Sequence, residues 1–240
     1  MQDLSIILMA SQKDTLIEAL TYILAVVPDY RELIVGLAPN LPARTRRYIE
    51  SRPRVKILPG TDNIDEAGEV RFRLLDECQG EWILNCDDDD LLVYVPSLDN
   101  IAKDVGYIFG DTVFLAAKTA GPFQAGHCQL MQGKPIRRPE DAGNAAGSAW
   151  LLRREAWECV SPLIDRSIWW FSDFRILFWL LKLGWKVEHI PRLMGIVRIL
   201  KWNYPGGDEW MWSNFVKRME AQYEAQPGLR QGCPSGLDQR

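Results

Sequence analysis

The chain has 240 residues, a formal net charge of −4 and 47% hydrophobic residues. This length permits one domain with a sizeable core, and the acidic balance argues against nucleic-acid binding through phosphate neutralisation. The five cysteines show no metal-binding spacing, and no leader pattern or membrane-spanning apolar stretch is present in the sequence. These features predict a cytoplasmic protein without a transmembrane segment.

Strand-like and helix-like apolar patterns alternate over the first 95 residues. Continuous apolar runs predict buried strands, and apolar residues recurring every three or four positions predict helices. In chain order the predicted elements are a strand at Leu4–Met9, a helix at Leu16–Val27, a strand at Glu32–Leu37, a helix from Pro42, a strand at Val55–Leu58, a helix at Ala67–Cys78 and a strand at Trp82–Cys86. This alternation indicates parallel βαβ units, and hence a Rossmann-like sheet.

The pattern is less regular after residue 95. The predicted elements are a helix from about Pro96, a hairpin-like pair around Val105–Lys118, a polar loop at Gly121–Gly147, a helix near Arg153–Cys159, a helix at Asp173–Leu183, strands at Val187–Ile190 and Leu193–Ile199, and an amphipathic helix at Asp208–Glu224. The Gly-, Pro- and Gln-rich tail at 227–240 is expected to be disordered.

Four consecutive aspartates, Asp87 to Asp90, follow the strand that begins at Trp82. Two unit charges about 6 Å apart repel by roughly 3 kcal/mol at an effective dielectric near 20, so the run needs water or a cation. A solvated loop is one interpretation. The apolar flanks favour a second one, because open α/β folds bind ligands at the carboxyl ends of their strands. Since hard cations prefer oxygen ligands, this interpretation predicts a Mg²⁺ or Mn²⁺ site.

Tryptophan is unusually abundant, with ten residues that are concentrated after Trp150. Its side chain usually packs in the core, but its flat ring also stacks on sugars. Four of these residues are candidates for such stacking, namely Trp169, Trp170, Trp210 and Trp212.

Five segments in this order resemble the family 2 glycosyltransferases of the GT-A fold, over residues 1 to about 200. They are LSIILMASQKDTLIEALTYIL, ELIVGLAPN, EVRFRLLDECQGEWILNCDDDD, GSAWLLRREAW and SDFRILFWLLKLGWKVEHIP. The resemblance implies an α/β fold with a Rossmann-like, mostly parallel sheet flanked by helices, a smaller acceptor-side sheet and a C-terminal helix. It further implies one domain over 1–226, with a nucleotide-binding half at 1–95 and an acceptor-binding half at 96–226.

The resemblance gives roles to the aspartate run. Family members end a strand with a DxD signature, in which one acid contacts the nucleotide ribose and another holds a divalent cation that bridges the donor diphosphate. Asp87 and Asp89 match this signature, which makes Asp87 a donor and metal contact and Asp89 a metal ligand. Asp88 and Asp90 would then support them, and a register shifted by one residue stays open.

Further donor contacts follow from the resemblance. Arg71 lies where the family carries an arginine near the nucleotide, and a surface arginine on a helix is the alternative. Ala10 and Asn40 are candidate contacts to the nucleotide, and Gly147 and Ser148 to the donor sugar.

The chain departs from the family after the second strand. Family members carry an aspartate pair there, whose first acid reads the nucleotide base, but this chain has Leu37 and Ala38. A UDP-sugar is still the expected donor, although this departure weakens the assignment of uridine.

Asp173, in FSDFRIL, matches the acid that serves as catalytic base in the family. It would remove the proton from an acceptor hydroxyl while that oxygen attacks the anomeric carbon, which gives inversion. The alternative is a carboxylate that only caps a helix.

The leading hypothesis is therefore a metal-dependent glycosyltransferase that moves a sugar from a nucleotide-diphosphate sugar to a carbohydrate or other hydroxyl acceptor. A nucleotidyltransferase ranks lower, because MASQKD after the first strand contains no glycine. A non-catalytic module that binds nucleotide or sugar is the third hypothesis, and the oligomeric state stays open.

Overall fold

The computed structural model describes residues 3–10, 15–63, 66–116, 125–139, 141, 149–166, 172–198 and 209–225. The strands are β1 (Leu4–Ala10), β2 (Glu32–Leu37), β3 (Val55–Pro59), β4 (Trp82–Asn85), β5 (Leu91–Leu92), β6 (Val105–Leu115), β7 (Cys128–Met131), β8 (Trp150–Arg153) and β9 (Lys186–Arg198). The helices are α1 (Leu16–Val26), α2 (Ala43–Glu50), α3 (Ala67–Asp76), α4 (Arg154–Val160), α5 (Ser172–Lys182) and α6 (Glu209–Glu224).

The first four strands form a parallel sheet in the order β3-β2-β1-β4. Ile7 of β1 is paired with Ile34 of β2 on one side and with Asn85 of β4 on the other. The carboxyl ends of these strands therefore lie along one edge of the sheet. In folds of this class that edge is where ligands bind.

The second half of the chain extends the same sheet. β8 pairs antiparallel with β4 and with β6, so β4 and β6 run in the same direction with β8 between them. β9 pairs parallel with β6, and the short strands β5 and β7 pair with β9 and β6. The strands predicted as a smaller second sheet are thus continuous with the first sheet, in a nine-stranded arrangement of the described residues.

Helices cover both faces of the sheet. Ile6 and Leu84 point into the core that contains the apolar side of α1, whereas Ile7 and Ile83 point into the core that contains α3, α4 and α5. Burial on both faces explains why β1 and β4 have continuous apolar sequences rather than alternating ones. The predicted α/β class, with a sheet flanked by helices, is confirmed.

Several predicted elements after residue 95 differ from the structure. Residues 96–104 form turns and irregular segments instead of a helix, and the predicted loop at 121–147 contains β7. The predicted hairpin at 105–118 is the single long strand β6, and the two strands predicted at 187–199 are the single strand β9.

Gly110 lies inside β6, in the region predicted as a hairpin. A Cβ atom at this position would lie 2.4 Å from Met194 Cγ and 2.6 Å from the Arg192 carbonyl oxygen. The glycine therefore permits β9 to approach closely beside an irregular stretch of the ladder. It is a site of close packing within the sheet and not a chain reversal.

Candidate active site

The aspartate run lies at the carboxyl end of β4, where the chain turns. The Asp90 amide donates to the Asp87 carbonyl at 3.2 Å, and burial alternates along the turn. Asp88 and Asp90 are each only 3% exposed, whereas Asp87 and Asp89 are partly exposed. Asp88 and Asp90 therefore face inward, whereas Asp87 and Asp89 keep access to solvent.

Arg71 connects the first acid of the run with the acid predicted as catalytic base. This arginine of α3 is buried, and its Nη2 donates to Asp87 Oδ1 at 2.9 Å. Its Nη1 donates to Asp173 Oδ1 at 2.5 Å and to Ser172 Oγ at 2.8 Å. Asp173 lies in the first turn of α5, which begins at Ser172. Arg71 is therefore a buried bridge between Asp87 and Asp173, and not a surface arginine.

Burial and charge together set the pKa values of this bridge. Burial acts to lower the pKa of Arg71, but the charges of Asp173 and Asp87 outweigh it and raise this pKa above its ordinary value. Burial raises the pKa of Asp173, the nearby Asp87 charge adds to this effect, and the Arg71 charge opposes it. The net shift of Asp173 is upward. A carboxylate with a raised pKa is a better general base near neutral pH than an ordinary aspartate.

Tyr107 of β6 is buried close to Arg71 and Asp173, and it was not identified from the sequence. Its ring stacks on Trp150 of β8 at a centroid distance of 5.4 Å. Burial, together with the charge of Asp173, raises the pKa of the Tyr107 hydroxyl well above its usual value. Both rings belong to the core on the sheet face that α3 and α5 cover, the same helices that carry Arg71 and Asp173.

A second arginine, Arg198 at the end of β9, contacts the other end of the run. Its backbone amide donates to Asp90 Oδ1 at 3.1 Å, and its guanidinium donates to the Asp89 carbonyl and to the carboxylate of Glu18 in α1. Two arginines distant in sequence thus contact the run at its two ends: Arg71 was a predicted site residue, whereas Arg198 was not.

The acids fit a divalent cation only together with a ligand. In the described part of the chain, no group of three or more His, Cys, Asp or Glu side chains is arranged to hold a metal. Asp87 and Asp89 offer two carboxylates, and Mg²⁺ or Mn²⁺ completes its coordination with phosphate oxygens and water. The donor set is therefore compatible with a cation shared with a bound diphosphate.

Ala10 and Asn40 lie at the same edge of the sheet as Asp87. Ala10 ends β1 with a side chain only 1% exposed, and its carbonyl accepts a hydrogen bond from the Ala38 amide at 3.0 Å. Asn40 is exposed after β2, and its Nδ2 donates to Asp62 Oδ2 at 3.0 Å. Asp62, in the loop after β3, thus provides an acid near the end of β2, where Leu37 and Ala38 replace the aspartate pair of the family.

The remaining predicted contacts cannot be placed. Gly147, Ser148, Trp169 and Trp170 lie outside the described residues. The backbone positions of Trp210 and Trp212 belong to α6, but their side chains are not among those described. Their predicted roles stay predictions.

The structure resembles that of GalNAc-T7 determined with UDP, GalNAc and Mn²⁺, with a TM-score of 0.63 at 13% sequence identity. The fold is GT-A-like. The likeness covers 92% of this chain and 49% of that protein, so this chain spans about half its length. The sequence matches no protein-family model. It also matches no curated protein sequence.

In the described part of the chain, no helix combines the length and the apolar character needed to cross a bilayer.

Replacement of Arg71 by glutamine removes the charge that lowers the pKa of Asp173. We expect this pKa to rise further, and the free energy of unfolding to fall by about 2–3 kcal/mol, because two partly buried carboxylates lose their cation. Carboxyl carbon NMR titration and urea denaturation measure the two effects. Arg73→Gln is the matched control, since Arg73 lies on the same helix and is exposed. An unchanged pKa of Asp173 in Arg71→Gln would contradict the coupling.

Proposed function

We propose that the protein is a glycosyltransferase that moves a sugar from a nucleotide-diphosphate sugar to an acceptor hydroxyl with inversion, within one catalytic domain over residues 1–226. The observation that carries this proposal is the Arg71 bridge. It joins Asp87, at the end of a central strand, to Asp173, at the start of a helix from the other half of the chain. The GT-A-like fold and a structural neighbour that contains UDP and Mn²⁺ support it.

In this proposal the nucleotide lies along the carboxyl ends of β1, β2 and β4. Ala10 would contact it through the backbone, Asn40 through its side chain, and Asp87 through the ribose. A uridine nucleotide is the first candidate, because the neighbour contains UDP. The loop that carries Asp62 supplies an additional acid near the base, which offsets the missing aspartates at Leu37 and Ala38.

Asp87 and Asp89 would hold Mg²⁺ or Mn²⁺. A cation held there would neutralise the negative charge that develops on the leaving diphosphate. Asp88 and Asp90 would keep the turn in place from the buried side, and Arg198 would fix its backbone.

Asp173 would act as the base. Its Oδ1 is held by Arg71 and lies 3.3 Å from Ser172 Oγ, while its Oδ2 makes no hydrogen bond within the described residues. Oδ2 would accept the proton of the acceptor hydroxyl as the hydroxyl oxygen forms its bond to the anomeric carbon. The bond from that carbon to the diphosphate breaks, and its electron pair leaves with the diphosphate. Attack from the face opposite the leaving group inverts the anomeric carbon.

The acceptor would be a carbohydrate or another hydroxyl compound. Trp169 and Trp170 directly precede α5 in sequence, and Trp210 and Trp212 belong to α6. We propose that these four rings provide stacking surface for the acceptor.

The direct test of this function is a screen of nucleotide-sugars with Mn²⁺, in which mass spectrometry detects transfer or donor hydrolysis. Asp89→Ala should lower the Mn²⁺-dependent rate by about 100-fold, because a ligand of the cation is lost. Asp99→Ala removes an exposed acid outside the site and serves as the control. Full metal-dependent activity in Asp89→Ala would exclude the assignment. Tight binding of a nucleotide diphosphate without turnover of any donor would favour the binding-module alternative.

The proposed base makes the rate depend on pH. Asp173 acts only when ionised, and its pKa is raised, so the rate should fall on acidification with a midpoint above the value of about 4 expected for an ordinary aspartate. Asp173→Asn should lower the rate by about 10²- to 10⁴-fold and leave UDP affinity within a few-fold. A pH–rate profile and calorimetric titration with UDP provide these measurements. An Asp173→Asn variant that keeps the wild-type rate and acid limb would show that another group is the base.

A further inference from the structure

A polar pair, formed by Asp111 of β6 and His189 of β9, connects two neighbouring strands of the sheet. His189 Nε2 and Asp111 Oδ1 are 2.8 Å apart, and each side chain is only 13% exposed. The His189 ring also packs on Phe109, with ring centroids 5.1 Å apart. The protein has two histidines, and the other one, His127, is partly exposed. Neither Asp111 nor His189 has a part in the chemistry proposed above.

The strand register places this pair beside the candidate active site. Asn85 of β4 pairs with Trp150 of β8, Trp150 with Phe109 of β6, and Phe109 with His189 of β9. These four residues form one row across the sheet, and directly paired residues face the same side.

Asp87 and Asp111 each lie two residues beyond this row, toward the same edge of the sheet. Since β4 and β6 are separated by two strand spacings, the two positions are about 10 Å apart along the edge. The β1 and β2 ends proposed for the nucleotide lie on the other side of Asp87. The Asp111–His189 pair therefore borders the side that is left for the acceptor.

Asp111 also holds the chain that follows β7. The Gly133 amide donates to Asp111 Oδ1 at 3.0 Å, so one carboxylate oxygen accepts from both Gly133 and His189. A Cβ atom on Gly133 would lie 2.5 Å from His189 Cδ2 and 2.7 Å from Phe109 Cε2. The backbone of Gly133 thus rests directly on both rings.

Three residues further along, Ile136 is buried in the core that also contains Phe109. Segment 132–136 is consequently fixed at two points: at Gly133 by the polar pair and at Ile136 by apolar packing. The intervening residues Lys134 and Pro135 are exposed.

We infer that Asp111 and His189 are positioning residues that fix segment 132–136 as the acceptor-side wall of the active site. The acceptor assignment rests on the proposed function, whereas the fixed segment itself does not. A deprotonated carboxylate can only accept hydrogen bonds, so His189 carries a proton on Nε2.

The experiment compares Asp111→Ala and His189→Ala with the conservative variant Asp111→Asn, which retains an acceptor oxygen, and with the control His127→Ala. Hydrogen exchange followed by mass spectrometry reports on segment 132–136. Nitrogen-15 NMR of the two histidine rings reports which nitrogen of His189 carries the proton. Calorimetry with UDP and Mn²⁺ reports on the nucleotide side of the site. Michaelis constants for a panel of methyl glycosides as acceptors report on the acceptor side.

In both alanine variants we expect exchange in segment 132–136 to become about tenfold faster. Asp111→Ala removes the acceptor of the Gly133 amide, and His189→Ala removes the ring that holds this acceptor in place. We expect the Michaelis constant for the acceptor to rise about tenfold while UDP affinity stays within about twofold, since the nucleotide side is not touched. Asp111→Asn and His127→Ala should behave like the parent protein, and His189 should show an Nε2-bound proton.

Two results overturn the inference. One is unchanged exchange in segment 132–136 in both alanine variants. The other is a loss of UDP affinity as large as the rise in the acceptor constant, which would make the pair a general support of the fold. If the variants show the expected exchange and NMR behaviour but the protein transfers no sugar, the proposed function is refuted. The conclusion that Asp111 and His189 fix segment 132–136 then still holds.

Discussion

The buried guanidinium of Arg71 is the interaction on which the site depends. Asp87 and Asp173 come from different halves of the chain, and their carboxylates lie on one cation. Without this cation two partly buried negative charges would face each other at low dielectric, which is strongly unfavourable. Arg71 thus determines that these two acids share one site, and it leaves Asp173 with a raised pKa because burial outweighs the favourable charge.

Arg198 holds the other end of the aspartate run through hydrogen bonds. It connects the end of β9 to Asp89, Asp90 and the first turn of α1. Each arginine links the acid run to a distant segment, so the turn after β4 is held from both directions. Asp88 and Asp90 are buried, while Asp87 and Asp89 are partly exposed, as their proposed contacts with a ligand require. A preorganised turn of this kind suits a site in which charge changes during reaction.

The first half of the fold was predictable because its strands are apolar on both faces and alternate with helices of clear periodicity. The second half was not, since β6 and β9 are long, irregularly paired strands, and Gly110 provides close packing within a region predicted as a hairpin. The aspartate run could be located from its position after a strand. The partners of Arg71 and of Asp111 could not be predicted, because contacts across a hundred residues leave no local pattern.

A crystal structure of the protein with UDP and Mn²⁺ would show whether the Asp87–Asp90 turn binds the nucleotide and the cation, as the proposed function requires. We expect Mn²⁺ to contact carboxylates of this turn and the diphosphate, and the uracil to lie toward Ala10 and Asn40. We also expect Asp173 to remain bound to Arg71 and open on the side facing away from the nucleotide, and this arrangement is the core of the proposal. A structure in which UDP and the cation bind away from this turn, with Arg71 still joining Asp87 to Asp173, would contradict it.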